Sequence, residues 1–315
     1  MKYEVLFNRV KVPTIDCIET FDHSFGFIGS CFSSHMHDRF RRVGLSAWLS
    51  PYGTTYNPIS IENQLIASVD MNYAFNLKQD GDTYFYWETS HQHVYSSETE
   101  LMESVGTLRK DAEKQLQSMN TLFITLGSAW VYETMDTGQL VANCHKVPQV
   151  NFKKRLLTIA EIIESLERIV ILLNRHNPFL KLVLTVSPVR HIREGLIENN
   201  RSKARLIEAC QCVCEGPFSP HYFPSYELII DELRDYRFFE SDGVHPNALA
   251  VDFVWDRLKE SLFNPTMEPV FKAVSSIRQQ EAHRFITHEV SKQKEQVKKI
   301  EEQKTNLSLI HNIHW

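Results

Sequence analysis

Along most of this 315-residue chain, short apolar runs alternate with stretches in which apolar side chains recur every three or four positions. Phe25, Phe27 and Ile28 form the first run, and Phe32, Met36, Phe40 and Val43 follow at helical spacing, so a strand passes into a helix at Gly29-Ser30. Ile61, Leu65, Ile66 and Val69 predict a second helix, and Tyr84, Tyr86 and Val94 predict short strands around a turn. A long helix is expected over 98–119, with Leu101, Val105, Leu108 and Leu116 as its buried stripe, and a strand over 121–126. Thr158 and Glu161 form a capping box ahead of a helix reaching about Asn174, and 182–186 reads as the next strand. A helix over 201–214, a strand at Tyr222 and Phe223, and a helix over 247–262 that Pro246 is suited to start complete the series. This alternation predicts a three-layer α/β/α sandwich around a mostly parallel sheet. Right-handed crossovers would bring the carboxyl ends of the strands to one edge.

Beyond Pro265 the character changes. Between 279 and 303 glycine and proline are absent and charge dominates, which predicts a solvated helix. The chain therefore divides into an α/β domain, 1–264, and a charged helical extension, 265–315. Phe285, Ile286, Val290, Val297, Ile300 and Leu307 recur near intervals of three, four and seven. That spacing suits self-association through a coiled coil or docking, or a helix lying loosely on its own domain or projecting into solvent.

With 43% hydrophobic and 23% charged residues, the composition is that of a globular protein able to build one large core or two smaller ones. A formal net charge of −5 argues against binding nucleic acid through phosphate neutralisation. The first residues hold no uninterrupted apolar run of signal-peptide length, and no segment reads as a membrane span, so a cytoplasmic location is expected. Without a secretory signal, the six cysteines are expected to be free thiols. Cys210 and Cys214 share a helix face that Cys212 does not, which disfavours a three-thiolate metal site. His35 and His37, two apart on a helix, cannot readily share a metal either, and no metal or organic cofactor is expected.

The chemistry concentrates at two places. Ser30 stands where the first strand meets its helix, beside unpaired helix N–H groups and in the crevice where open α/β sheets hold ligands; it reads as a nucleophile or as a simple helix cap. Asp242 and His245, two residues apart across Gly243, can meet on one turn as the orienting carboxylate and base that a serine nucleophile requires, or as a local turn bond alone. Cys31 is a rival nucleophile at a helix start, although its side chain should point away from that of Ser30.

Gly29-Ser30-Cys31-Phe32-Ser33 resembles the signature of the GSCFA-domain proteins, bacterial members of the SGNH (GDSL-like) hydrolase superfamily. The likeness continues through Pro51-Tyr52-Gly53, Thr125-Leu126-Gly127-Ser128, Asn143-Cys144-His145-Lys146, 185–191 and Asp242-Gly243-Val244-His245, covering roughly residues 1–260. The resemblance implies a flavodoxin-like sheet, Ser30 as nucleophile, and Asp242 with His245 as orienter and base. It also implies an oxyanion hole containing the N–H groups of Ser30 and Gly53. Two positions depart from the superfamily pattern: Gly29 stands in place of an acidic residue, and Ala129 in place of an amide-bearing asparagine. Asn143 is the candidate replacement donor, since the Asp136-Thr137-Gly138 turn allows a hairpin to fold over the site; a local turn bond is its other reading. His145 is a candidate for substrate binding or a surface histidine. Arg190 and His191, just after a strand, would project from the same edge as Ser30. There Arg190 could recognise a carboxylate or phosphate on the substrate, or pair with Glu194 or Glu198.

These readings lead to an expected function: a serine-dependent ester hydrolase or acyl transferase acting on an O-acyl ester, for which the superfamily suggests an acetylated carbohydrate. The reading from another class is a non-catalytic carbohydrate-binding or scaffold protein on the same fold, kept open by Gly29 and Ala129. A metal-dependent hydrolase has no compact ligand motif behind it.

Overall fold

A computed structural model describes residues 8–282, 290–311, 313 and 315. In chain order the elements are β1 (Ser24–Gly29), α1 (Cys31–Arg42), β2 (Ser46–Leu49), α2 (Pro58–Val69), β3 (Leu77–Asp80), β4 (Thr83–Tyr86), α3 (Glu98–Ser118), β5 (Thr121–Leu126), β6 (Trp130–Thr134), β7 (Leu140–Val141) and β8 (Phe152–Leu156). They continue with α4 (Ile159–His176), β9 (Lys181–Val186), α5 (Leu196–Cys214), β10 (His221–Tyr222), α6 (Ala248–Leu262), α7 (Glu268–Ala282) and α8 (Val290–His311). Five strands build the main sheet in the order β2-β1-β5-β9-β10, every neighbouring pair parallel. Counted along the chain this is the order 2-1-3-4-5 of flavodoxin-like sheets, in which the ligand crevice opens at the carboxyl ends of the first and third strands. Those strands are β1 and β5.

Side-chain alternation along the strands separates two cores. Phe25, Phe27, Phe123 and Val183 face one side with Phe40 of α1 and Val251, Val254 and Trp255 of α6. Ile28, Leu122, Ile124, Leu126, Leu184 and Val186 face the other, against Leu65 of α2, Ile162 and Ile169 of α4, and Leu206 of α5. The period of two visible in Leu122-Phe123-Ile124 thus produces the expected three layers. The capping box at the start of α4 is present, the Thr158 hydroxyl accepting the Glu161 N–H and the Glu161 carboxylate accepting the Thr158 N–H.

Two antiparallel additions flank the sheet: the β3-β4 hairpin and a small sheet of order β7-β6-β8. Phe85, Trp87, Val141, Val147 and Phe152 join them in one apolar cluster. The hairpin expected between Trp130 and Asn143 forms as β6-β7, its turn carried by Gly138 at φ +69°.

Strands β3 and β8 have no counterpart in the sequence expectation and Val94 lies outside any strand; three further differences have a local cause. Helix α5 begins at Leu196 rather than 201, because its first turn exposes Leu196 and Ile197 and leaves no amphipathic signal to read. The half-buried edge strand β2 carries no such signal either, being four residues long without clear alternation. Pro246 precedes α6 instead of starting it: Asn247 is the cap, its side chain accepting the Ala250 N–H at 3.1 Å, and Pro246 bridges to Phe239.

The charged extension folds onto the α/β domain. Ile300 and Ile313 are buried, Phe21 packs edge-on against Phe271 with ring centroids 5.8 Å apart, and the Arg278 guanidinium donates to the Arg41 carbonyl. The apolar core runs from Phe263 through Met267, Phe271 and Val274 without a break at residue 264. Phe285 and Ile286 lie outside the described residues. Among the described residues no helix is long and apolar enough to cross a membrane.

Phe40 is fully buried, with its ring 4.6 Å from Phe25, 5.0 Å from Phe27 and 4.9 Å from Trp255. Truncation there leaves a cavity between α1, the sheet and α6. Phe40→Ala should lower the unfolding free energy by about 3–5 kcal/mol, read as a fall in the urea midpoint with an unchanged slope.

Candidate active site

The junction of β1 and α1 is fixed by its close approach to β5. Gly29 has φ +128°, and a Cβ on it would collide with the Thr125 carbonyl oxygen. No side chain has room at this position of the chain, so glycine is required there. Ser30 follows at the cap of α1, 2% exposed, its Oγ accepting the Phe32 N–H across a long 3.3 Å. Its own N–H, expected to face an oxyanion, donates instead to the Thr125 carbonyl at 2.9 Å. Gly127 lies directly opposite, and a Cβ on it would stand 3.2 Å from Ser30 Cβ and 2.8 Å from the Tyr56 ring.

A cavity of about 310 Å³ opens beside Ser30, walled by Ile28, Ser33, Leu49, Ser50, Gly53 and Gln92 among others. Gly53 has φ +82°, and a Cβ there would strike the Ser90 side chain. Its N–H makes only a long 3.4 Å contact to the Ser50 carbonyl.

Asn143 and His145 are not on this wall. The Asn143 side chain accepts the His145 N–H at 2.8 Å, the local turn bond that was its other reading. His145 is buried, stacks on Phe85 at 4.1 Å and bonds the Thr89 carbonyl through Nε2 at 3.0 Å; burial pushes its pKa down to about 4. Both therefore sit behind the 89–93 segment, whose His93 bonds the Pro51 carbonyl at 2.7 Å and whose Ser90 adjoins Gly53. Ala129 is fully buried in the core.

Asp242 and His245 meet as the spacing predicted. Asp242 Oδ2 lies 2.7 Å from His245 Nδ1, while Oδ1 accepts the N–H groups of Val244 and His245 at 2.8 and 3.0 Å. The His245 side chain and those N–H donors hold the Asp242 carboxyl at about 2, so it is ionised throughout the neutral range. Arg190 grips this loop: its N–H donates to the Val244 carbonyl and its guanidinium to the Gly243 carbonyl, each at 3.2 Å, and it lies 4.2 Å over the Phe239 ring and 4.8 Å over Tyr236. Neither expected acidic partner is used. Glu194 pairs with Lys154 and, at 3.0 Å, with His191, while Glu198 pairs with Arg201. His35, further along α1 from Ser30, has its pKa lowered by burial, with the charges of Arg39, Asp38, His245 and Glu240 contributing in turn.

The GSCFA family model matches residues 24–258. The chain belongs to the GSCFA family. Among solved structures, this GSCFA protein is similar to a carbohydrate esterase family 3 protein from Talaromyces cellulolyticus (11% identity, TM-score 0.37, covering 79% of this chain and 98% of the other). It is also similar to a carbohydrate esterase family 2 enzyme with a carbohydrate-binding domain from Corynascus thermopiles (Myceliophthora fergusii) (13%, TM-score 0.39, covering 78% and 67%). A third similar structure is an acetyl esterase mutant with acetate ion (10%, TM-score 0.36, covering 80% and 99%). No curated protein sequence matches the chain.

Sequence reasoning missed Lys203, although it shares the buried face of α5 with Leu206 and Cys210, an anomaly the helical spacing exposes. Only 1% exposed, its Nζ donates to the Gly127 carbonyl at 2.7 Å and the Ser187 carbonyl at 2.6 Å, clamping the chain just beyond β5 to the chain just beyond β9. Burial pushes its pKa down to about 7, opposed by the nearby Cys31 thiol. A neutral amine has two hydrogens, one for each carbonyl. Because the lowered value belongs to the folded state, proton uptake by the unfolded chain opposes folding as pH falls from about 10.5 to 7. The penalty is absent above that window and complete below it. The stability of this GSCFA protein relative to its Lys203→Met variant should therefore rise between pH 7 and 10, by on the order of 5 kcal/mol at the limit. Paired denaturant titrations across that range would measure the difference.

Proposed function

We propose that this GSCFA protein is a serine-dependent ester hydrolase or acyl transferase of SGNH type, with Ser30 as nucleophile, His245 as base and Asp242 as orienter. The observation that carries the reading is the 2.7 Å contact between Asp242 Oδ2 and His245 Nδ1. It fixes the tautomer with the proton on Nδ1 and leaves Nε2 as the basic nitrogen. Supporting it, Ser30 stands at the crevice between β1 and β5, beside a cavity, and Arg190 ties the His245 loop to the segment leaving β9 at the same edge of the sheet.

In the proposed reaction Ser30 Oγ bonds to the ester carbonyl carbon as its proton passes to His245 Nε2. The tetrahedral intermediate expels the alcohol, which takes that proton, and leaves an acyl-serine. Water, or a sugar hydroxyl in a transfer, then attacks the acyl carbon as His245 Nε2 takes its proton, and the bond to Ser30 Oγ breaks, releasing the acid or the new ester while His245 returns the proton to Ser30. With the Ser30 N–H engaged by Thr125, donation to the oxyanion falls to Gly53 and to the first-turn N–H of Cys31, unpaired by its position in the helix. An O-acetylated carbohydrate is the proposed substrate class. The non-catalytic reading has the apolar burial of Ala129 in its favour, which removes a side-chain oxyanion donor.

Hydrolysis of p-nitrophenyl acetate and of acetylated xylan separates the two. Ser30→Ala and His245→Ala should each lower kcat/KM by about a thousandfold or more, with Asp242→Asn also strongly impaired. No turnover of any ester by the unmodified protein would favour the non-catalytic reading, and unaltered turnover in Ser30→Ala would remove Ser30 as the nucleophile.

A further inference from the structure

The wall of the cavity beside Ser30 carries a free amide. Gln92 lines the same space as Ser30 and Gly53, and it is exposed. Its backbone N–H makes a long 3.4 Å contact to Ser90 Oγ, while its side chain takes part in no hydrogen bond among the described residues. The turn that carries it is fastened at both ends. The Ser90 N–H donates to the Tyr52 carbonyl at 2.9 Å, the His93 N–H closes the turn onto the Ser90 carbonyl at 3.0 Å, and the His93 ring bonds the Pro51 carbonyl at 2.7 Å. Residues 90 and 93 thus hold the turn against the 50–54 loop, and the side chain at its corner reaches along the cavity wall. A Cβ on Gly53 would stand 3.4 Å from Gln92 Oε1, so the amide ends beside the residue whose N–H is the proposed backbone donor. With neither amide atom engaged, a half-turn about the last side-chain bond brings Nε2 to the place of Oε1.

We propose that Gln92 is the side-chain donor of the oxyanion hole, its Nε2–H joining the Gly53 N–H on the oxygen of the tetrahedral intermediate. The inference rests on the assignment of Ser30 as nucleophile and adds a catalytic residue to it. That site is otherwise short of donors: the Ser30 N–H is taken by the Thr125 carbonyl at 2.9 Å, Ala129 is apolar and buried, and the Asn143 side chain is bonded to the His145 N–H. An amide is suited to the task because it donates without carrying a charge or a proton to lose at neutral pH. The ester carbonyl oxygen bears little charge before attack and a full one after it, so the bond to Gln92 strengthens as the intermediate forms. Its contribution therefore belongs to kcat rather than to KM.

Turnover of p-nitrophenyl acetate and inhibition by phenylboronic acid test the proposal together. The boron bonds to Ser30 Oγ, whose proton passes to His245, and the resulting tetrahedral anion offers an oxygen to the same donors without any turnover. Gln92→Ala should lower kcat about a hundredfold with KM changed by less than about threefold, and should raise the inhibition constant of the boronic acid about tenfold or more. Gln92→Glu, similar in shape but only an acceptor at neutral pH, should be impaired at least as much. The thermal midpoints of both variants should match that of the unmodified protein, since the side chain has no partner to lose. An unchanged kcat in Gln92→Ala, a loss confined to KM, or full activity in Gln92→Glu would overturn the proposal. A loss of activity that follows a lowered midpoint would assign the amide to the fold and overturn it equally. Each of these results leaves the catalytic reading standing as long as turnover requires Ser30. An unmodified protein that hydrolyses no ester and binds no boronic acid would refute the catalytic reading, and the role of Gln92 with it.

Discussion

The Thr125 carbonyl, set against the backbone of Gly29 and accepting the N–H of Ser30, is the contact on which the arrangement of the site depends. It excludes every side chain but hydrogen at position 29, stops β1 from continuing, and turns the chain into α1 with the serine hydroxyl at the turn. It also ties that turn to β5 at the point where the order of the sheet reverses, the place where open α/β sheets present ligands. Lys203 reinforces the arrangement from beneath by holding the carbonyls beyond β5 and β9 together. Gly29 is thus a consequence of close backbone approach, while Gly127 and Gly53 leave room for the side chains of Tyr56 and Ser90.

Around this fixed point the protein distributes two kinds of support. The loop of Asp242 and His245 is exposed, and its rigidity comes from its own turn bonds and from Arg190, whose guanidinium is held against two aromatic rings. The 50–54 loop is held from the opposite side by the 89–93 segment, which in turn leans on His145 and the Phe85 cluster. The antiparallel additions to the sheet therefore act as a brace for the wall of the cavity. Asn143 belongs to that brace through its bond to the His145 N–H.

Patterns confined to a few consecutive residues were legible in the sequence. The strand-to-helix change at Ser30, the Thr158-Glu161 cap, the β6-β7 hairpin and the Asp242-His245 turn each follow from local spacing, and so does the three-layer arrangement once strands and helices alternate, whereas the flavodoxin-like sheet came from the family resemblance. Contacts between distant segments were not. Nothing near Ser30 announces that its N–H would be taken by a carbonyl 95 positions away, or that Arg190 would reach Gly243 rather than a nearby glutamate. Lys203 occupied a middle ground, since its place on an apolar helix face signals burial while its two carbonyl partners come only with the sheet. Within the extension beyond Pro265, the stretch from 279 onward read as solvated because its apolar anchors there, Ile300, Ile313 and Trp315, are few among many charges, while Met267, Phe271, Val274 and Ile277 before it join the core.

The central claim is that Ser30 is activated by His245 across the carboxyl edge of the sheet. Treating the protein with a fluorophosphonate and mapping the modified residue by mass spectrometry tests it most directly. The account predicts a single adduct on Ser30 whose rate of formation falls by at least about a hundredfold in His245→Ala. Labelling at Cys31 or elsewhere, no labelling at all, or labelling of Ser30 at an unchanged rate without His245 would contradict it.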